Sequence, residues 1–413
     1  MNKPHVLAQY AVAGALACAV PAGPVWAQEA APPAPAPAAA EAGAETNANR
    51  SIWTLNVTSF RKQHALEGGY TKQWDLSGLP HYHPTRQLTG TLRIWGSNYL
   101  KDGPIGAYWR QAFAKFQPGI TIEYNLPTAG IAIPALAAKV ADLGVGRPAT
   151  LMDYLTFQQV YGFTQTEIEV ATGSYDVYGW SPAYVIVVNK DNPLAQISMK
   201  QLDGVFGTAR NGGYDHSVWR TDYPFRRGAE ENIRTWGQLG LTGEWANKPI
   251  HPCGQSAHAN IMSVFSDKVL SGSDQWVEGY RAFANYATPD QKIAAWTSQV
   301  RKAVEGDPLS LCVIAPNGLS AGMRELAVQG WGGGPFVARS LESVRARSYP
   351  LTNEIYFYAI NGKGHPIDPK AEEFLRFVLS QEGQQEIQHE GRYLPLTAAM
   401  VQAQLAKLAP AGQ

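Results

Sequence analysis

The stretch His251-Pro252-Cys253-Gly254-Gln255-Ser256-Ala257-His258 gathers two imidazoles, a thiol, an amide and a hydroxyl within eight residues. A thiol beside an imidazole is the pairing of nucleophilic catalysis, and His/Cys sets also ligate metals. In an extended segment His251 and Cys253 alternate onto one face. Yet Cys253 lies in no nucleophile elbow, and the chain has neither His-Glu-x-x-His nor a phosphate-gripping glycine loop. A Gly/Ser turn ahead of a helix suits another task, since free backbone N–H groups and hydroxyls there hold an anion. The stretch therefore reads as part of a binding site, not of an enzyme. His251 either lines that site or is a structural loop residue.

Two earlier turns share this composition: Gly96-Ser97-Asn98 and Pro127-Thr128-Ala129-Gly130. A third, Gly144-Val145-Gly146-Arg147, adds a guanidinium that either reaches an anion or stays solvated. His81 and His83 have no third ligand near them in sequence and read as surface or packing histidines. No metal or cofactor is expected.

Positioning these turns falls to alternating strands and helices. Thr91 to Trp95 is β-rich, and after Pro104 the residues Ile105, Trp109, Ala112, Phe113 and Phe116 recur at helical spacing. Gln117-Pro118-Gly119 ends that helix, Ile120 to Tyr124 alternates as a strand, and a second helix starts near Ile131 with Pro134 in its first turn. If the strands pair in parallel, the turns open at one carboxyl edge, where open α/β sheets bind ligands. Further on, Tyr154 to Tyr161 reads as a helix, Glu167 to Ala171 as a strand and Tyr184 to Val188 as a strand buried on both faces. A helix spans Ser198 to Phe206, a loop Gly207 to Arg227, and another helix begins at Arg234. A strand ends near Ile250, the 251–258 stretch follows as a loop, and Ala259 to Leu270 is the next helix. Pro308 to Ala315 and Ile355 to Ile360 are late strands, and helices start at Asp368 and Ser380. Two buried-strand signals separated by a long excursion argue for two α/β lobes.

A length of 413 residues, 45% apolar, suffices for two cores. Lys3 and His5, the apolar run Ala11 to Val20 and Val25-Trp26-Ala27 form an export signal over 1–27. Lipidation at Cys18 is a lesser alternative. Without that signal, which carries Lys3 and no acidic residue, 33 basic residues face 34 acidic ones. No basic run interleaves with aromatics, so nucleic acid is not a partner. Residues 28–49 are an Ala/Pro-rich disordered spacer, and 50–87, with Trp53, Phe60 and Trp74, an irregular arm packed on the body. Cys253 and Cys312 either pair or remain two buried thiols, and the second reading is preferred.

Four stretches carry a family resemblance: Gly96-Ser97 with Trp109 and Phe116-Gln117-Pro118-Gly119; Tyr184 to Leu194 with Leu202 to Gly207; Thr235 to Leu241; and Ala371 to Gln384. In that order they resemble the type II periplasmic binding proteins of ABC transporters, most closely the phosphate-binding branch, over residues 88 to 400. The resemblance implies a two-lobed α/β fold, each lobe a mixed sheet flanked by helices, with two hinge crossings. Lobe one would be 88–183 and 351–413, and lobe two 184–350. It further implies a periplasmic monomer that captures phosphate or a related small oxyanion in the interlobe cleft, closes about the hinge and docks on an inner-membrane ABC permease. The family's second-lobe Arg precedes an Asp-Gly-Ser-Gly-Thr-like loop. Here His251 stands for the Arg, Cys253 for the Asp, and Gln255-Ser256-Ala257 for Ser-Gly-Thr. Expected ligand contacts are Gly96, Ser97, Asn98, Thr128, Gly130, Arg147, His251, Gln255 and Ser256. Because His251 removes a fixed charge, another small polar solute, or a sensing or scaffold role without transport, are the alternatives. Tyr154, Tyr175, Tyr178, Trp180, Tyr214 and Trp219 offer stacking surfaces for a sugar or an aromatic solute.

Overall fold

A computed structural model describes residues 69–177, 181–290 and 292–409. The export signal, the spacer, residues 50–68 of the arm, Tyr178 and Trp180 lie outside them. In chain order come β1 (Gly90–Gly96), α1 (Ile105–Ala114), β2 (Ile120–Asn125), α2 (Ala132–Ala137), β3 (Leu143–Gly146), α3 (Leu151–Tyr161) and β4 (Thr166–Ala171). Then follow β5 (Val185–Asn189), α4 (Met199–Phe206), β6 (Gly213–Asp215), β7 (Val218–Arg220), β8 (His251–Gln255) and α5 (Asn260–Val269). Next are β9 (Arg281–Phe283), α6 (Trp296–Gly306), β10 (Ser310–Ile314) and β11 (Met323–Glu325). The chain returns as β12 (Ile355–Ala359) and continues through α7 (Pro369–Val378), α8 (Gln381–Glu390) and α9 (Ala398–Ala406).

Local chemistry sets these boundaries. Pro104 immediately precedes α1, Asp368 accepts from the backbone N–H groups of Lys370 and Ala371, and Ser380 accepts from Gly383 N–H. Thr150 and Ser198 each form a reciprocal capping box, at α3 and α4. Gly162 and Gly391 stop α3 and α8 in the left-handed conformation.

Five strands form one sheet in the order β2-β1-β3-β12-β4, and five more form a second in the order β9-β8-β10-β5-β11. β1, β2 and β3 run parallel, with β12 antiparallel between β3 and β4. In the second sheet β8, β9 and β10 run parallel, with β5 antiparallel to β10 and to β11. Helices cover both faces of each sheet, so strands such as β5 are buried along their whole length. Trp109, Phe113, Phe374 and Phe377 fill the first core, and Leu202, Phe206, Trp236 and Phe265 the second. Burying each such side chain stabilises the fold by roughly 1.5–3 kcal/mol. This is the two-lobed α/β architecture with two crossings that the sequence pointed to.

Both crossings join carboxyl edges. β4 ends at Ala171 and the chain enters β5 at Val185, while the return crossing enters β12 at Ile355 beside the end of β3. Tyr184 N–H donates to Leu351 O at 2.9 Å, and Tyr349 O–H donates to Tyr184 O at 2.7 Å, so the crossings run side by side. The described part of the arm packs on the first lobe through buried Leu76, Leu79 and Tyr82. His81 and His83 are exposed.

Three expectations change. The His251–Gln255 segment is not a loop but β8, in register with β10 on one side and, from Cys253, with β9 on the other. His251 N–H donates toward β10 and Ser256 N–H toward β9, so by strand alternation Pro252 turns its missing N–H to the side where β9 has not yet begun. Cys253 and Cys312 are not two thiols: they face each other on adjacent strands, Cα atoms 4.4 Å apart, and form a disulfide. The Gly207–Arg227 excursion contains a short hairpin, β6–β7, rather than loop alone.

Candidate functional site

The two carboxyl edges present the small-residue turns. Gly96 ends β1 at φ +143, and an added Cβ would lie 1.9 Å from Val145 O, so only glycine fits there. That close approach lets Ser97 N–H donate to Val145 O at 2.8 Å and leaves Ser97 buried at the edge. Asn98 turns its amide onto Asp102 Oδ2 at 2.6 Å. Thr128 is extended, exposed and makes no side-chain cap, and Gly130 stands in open space. Arg147 leaves β3 half-buried. Its Nη1 donates to Pro148 O at 2.6 Å and to Asp153 Oδ2 at 3.2 Å, whereas its buried Nε has no partner. Asp153 also caps α3, so the guanidinium is tied to that helix's first turn.

On the second sheet Gln255 ends β8 with its Oε1 buried and unpartnered, and Ser256 N–H donates to Phe283 O at 2.7 Å. His251 does not join them. It begins the same strand, four residues and about 13 Å back, where Nδ1 bonds Asp307 Oδ2 at 2.8 Å. Arg281, Ser310 Oγ and Leu309 N–H meet the same carboxylate. Burial would raise Asp307, but His251, Leu309 N–H and Ser310 together hold it below the usual carboxylate range. The cluster braces the amino edge of the sheet, opposite the turns.

Beside the crossings lies a cavity of about 500 Å³ lined from both lobes. The loop before α3, α3 itself, β4 and β12 contribute Ala149, Tyr154, Glu167 and Tyr356, and α5 contributes Val264, Asp267 and Lys268. The third wall, Tyr214, Asp215, His216 and Phe225, comes from the excursion with the hairpin. None of the nine expected contacts lines it, although Pro148, next to Arg147, does. Of the stacking candidates Tyr154 and Tyr214 reach it, while Tyr175 lies under Arg339 and Trp219 is exposed. Sequence reasoning named none of its charged groups.

A buried network holds that wall. Asp203 on α4 receives Arg210 Nη1 and Nη2 at 2.7 and 2.9 Å, with Arg227 Nε 3.2 Å away. Arg210 also donates to Pro224 O at 2.5 Å and Phe225 O at 2.9 Å. Across the cavity Lys268 Nζ donates to both oxygens of Glu354 at 3.1 and 3.0 Å. Burial alone would raise Glu354, yet Lys268, Arg347 and the Thr352 hydroxyl bring it down to about 2. Asp267 is exposed on the cavity wall, yet desolvation by the surrounding protein raises it to about 7 against the pull of Arg147 and His216.

A family profile described as a PBP superfamily domain matches residues 88–382. The chain belongs to the PBP superfamily. Among curated relatives, the phosphate-binding protein PstS of Pseudomonas aeruginosa is 27% identical over 334 residues, covering 80% of this chain and 90% of its own. Among solved structures, PstS from Borrelia burgdorferi is 15% identical with a TM-score of 0.45, covering 74% of this chain and 99% of its own. An ABC-type phosphate transport receptor from Vibrio cholerae is 15% identical with a TM-score of 0.42, covering 73% and 99%. The superfamily match contains both carboxyl edges and the cavity between the lobes.

Proposed function

We propose that this chain is an extracytoplasmic solute-binding protein that captures phosphate or a related small oxyanion between its lobes for an ABC importer. The observation that carries this reading is the match to PstS along 80% of the chain. The geometry supports it. Two carboxyl edges meet through paired crossings, and each offers short turns whose hydroxyls, with backbone N–H groups other than those of Ser97 and Ser256, suit an oxyanion. Ser97, Thr128 and Gly130 with Arg147 would serve from lobe one (88–183 and 351–413), and Gln255 and Ser256 from lobe two (184–350). Asn98 would contribute through its backbone, and Gly96 by permitting the turn. His251 is replaced in this role by β8's other end. Export over 1–27 and the Cys253–Cys312 disulfide fit an oxidising compartment such as the periplasm. The chain would act as a monomer and present its closed form to a membrane permease.

Calorimetric titration of residues 28–413 with phosphate, sulfate and simple sugars tests this. Saturable phosphate binding is expected. Arg147→Ala together with Ser256→Ala should weaken it by about tenfold or more, since hydrogen bonds to a charged group contribute about 1.5–3 kcal/mol each. Unchanged affinity in that double variant would remove these turns from the site, and absence of any oxyanion binding would remove the reading.

A further inference from the structure

The interlobe cavity is built for the opposite charge from the turns. Four carboxylates line it, Glu167, Asp215, Asp267 and Glu354, against Lys268 and His216. Three of the four are engaged. Glu354 takes both of its Lys268 bonds, Asp215 meets His216 Nδ1 at 2.8 Å and Arg220 Nη1 at 3.1 Å, and Glu167 accepts from the Gln165 amide at 3.2 Å. Asp267 has no hydrogen bond or ion pair among the described residues. Arg147 is near enough to act on it electrostatically, but that guanidinium is held by Pro148 O and Asp153. An anion entering here would face four carboxylates against Lys268 and His216.

Five aromatic side chains line the cavity as well, Tyr154, Tyr214, Phe225, Trp331 and Tyr356, among small and aliphatic residues. An unpartnered carboxylate in a cavity that five aromatic side chains also line matches the needs of a cation, which gains an ion pair from the one and cation–π attraction from the others. A neutral polyol would find acceptors but leave Asp267 without an ion-pair partner. A volume of about 500 Å³ is that of a small-molecule site.

We propose that this cavity is a second ligand site, specific for a small organic cation, an ammonium or guanidinium on an apolar or aromatic frame, with Asp267 as its counter-ion. The site uses none of the residues assigned to the oxyanion and stands independently of that assignment. Because both lobes line it, an occupant contacts each of them.

The test is calorimetric titration of residues 28–413 with phenethylamine, agmatine and benzamidine, at a pH above the Asp267 value of about 7. At least one of the three is expected to bind saturably. Asp267→Asn should weaken that binding about tenfold to a hundredfold, and Trp331→Ala should weaken it as well. A phosphate titration reads the turns separately: it should be unchanged in Trp331→Ala and no weaker in Asp267→Asn, which only removes a negative charge acting on Arg147. Saturable binding of none of the three cations would overturn the site. So would cation affinity indifferent to Asp267→Asn, or binding of glucose or galactose in a manner that depends on Asp267.

Discussion

Glu354 stands where the return crossing enters β12, its side chain only 5% exposed and bonded to Lys268 on the opposite lobe. Its depressed value of about 2 against an ordinary 4.5 makes it a source of stability. Two and a half pH units correspond to about 3 kcal/mol. The sign follows from the direction: the contribution is complete above the unfolded value of 4.5 and fades as pH falls through about 2. Glu354→Gln should therefore lower the unfolding free energy in denaturant by about 2–4 kcal/mol at neutral pH. The gap to the unmodified chain should narrow steadily below pH 4.5. A gap that persists at the acid end would assign the loss to packing instead. His251 makes the contrasting case. It too meets a carboxylate, but at the amino edge, where its hydrogen bond with Asp307 braces the sheet and touches no ligand turn.

At the scale of elements the sequence was most legible where a single residue type decides the geometry. Pro104 before α1, Asp368 before α7 and Ser380 before α8 each act through a local bond or a fixed dihedral, and all three helices begin there. The Gly/Ser/Thr turns at Ser97, Thr128 and Ser256 were legible for the same reason. β8 was not, because Pro252 and Gly254 read as breakers until β10 and a late-starting β9 are seen to flank them. Nor was the cavity, whose walls join α3, the β6–β7 excursion, α5 and Glu354, segments far apart in the chain. No local pattern announces that Asp203 and Arg210 will meet inside the second lobe and clamp the Pro224-Phe225 wall. That clamp can be broken from the α4 side. Asp203→Asn leaves Arg210 and Arg227 buried with no full counter-charge, a change that costs about 3–5 kcal/mol. Hydrogen exchange across residues 207–227 should then accelerate more than in β5 or β10. Acceleration spread evenly over the second lobe would show that the clamp supports the core rather than the wall.

For the whole molecule, the arrangement of the crossings constrains which motion is available. Tyr184 N–H to Leu351 O and Tyr349 O–H to Tyr184 O bind the two connections into one narrow strip, which suits rotation of one lobe against the other. Further polar contacts bridge the lobes: Lys268 on Glu354, Arg339 Nη1 on Tyr175 O at 2.9 Å, Arg345 on Pro395 O and Leu396 O, Arg347 on Thr172 and Glu169, and Lys72 of the arm on Glu342. A solute held by turns on both carboxyl edges favours the closed form by its differential affinity for the two arrangements, and by no more than that. Phosphate at about a hundred times its dissociation constant should stabilise the fold by about 2.7 kcal/mol. Small-angle scattering of residues 28–413 should show a smaller radius of gyration in saturating phosphate. The contraction should vanish in the Arg147→Ala, Ser256→Ala double variant, which removes a donor from each lobe. Measurable heat of binding with an unchanged radius would mean that phosphate is captured without rotation, and that the cross-lobe ion pair at Glu354 holds the lobes in a fixed arrangement.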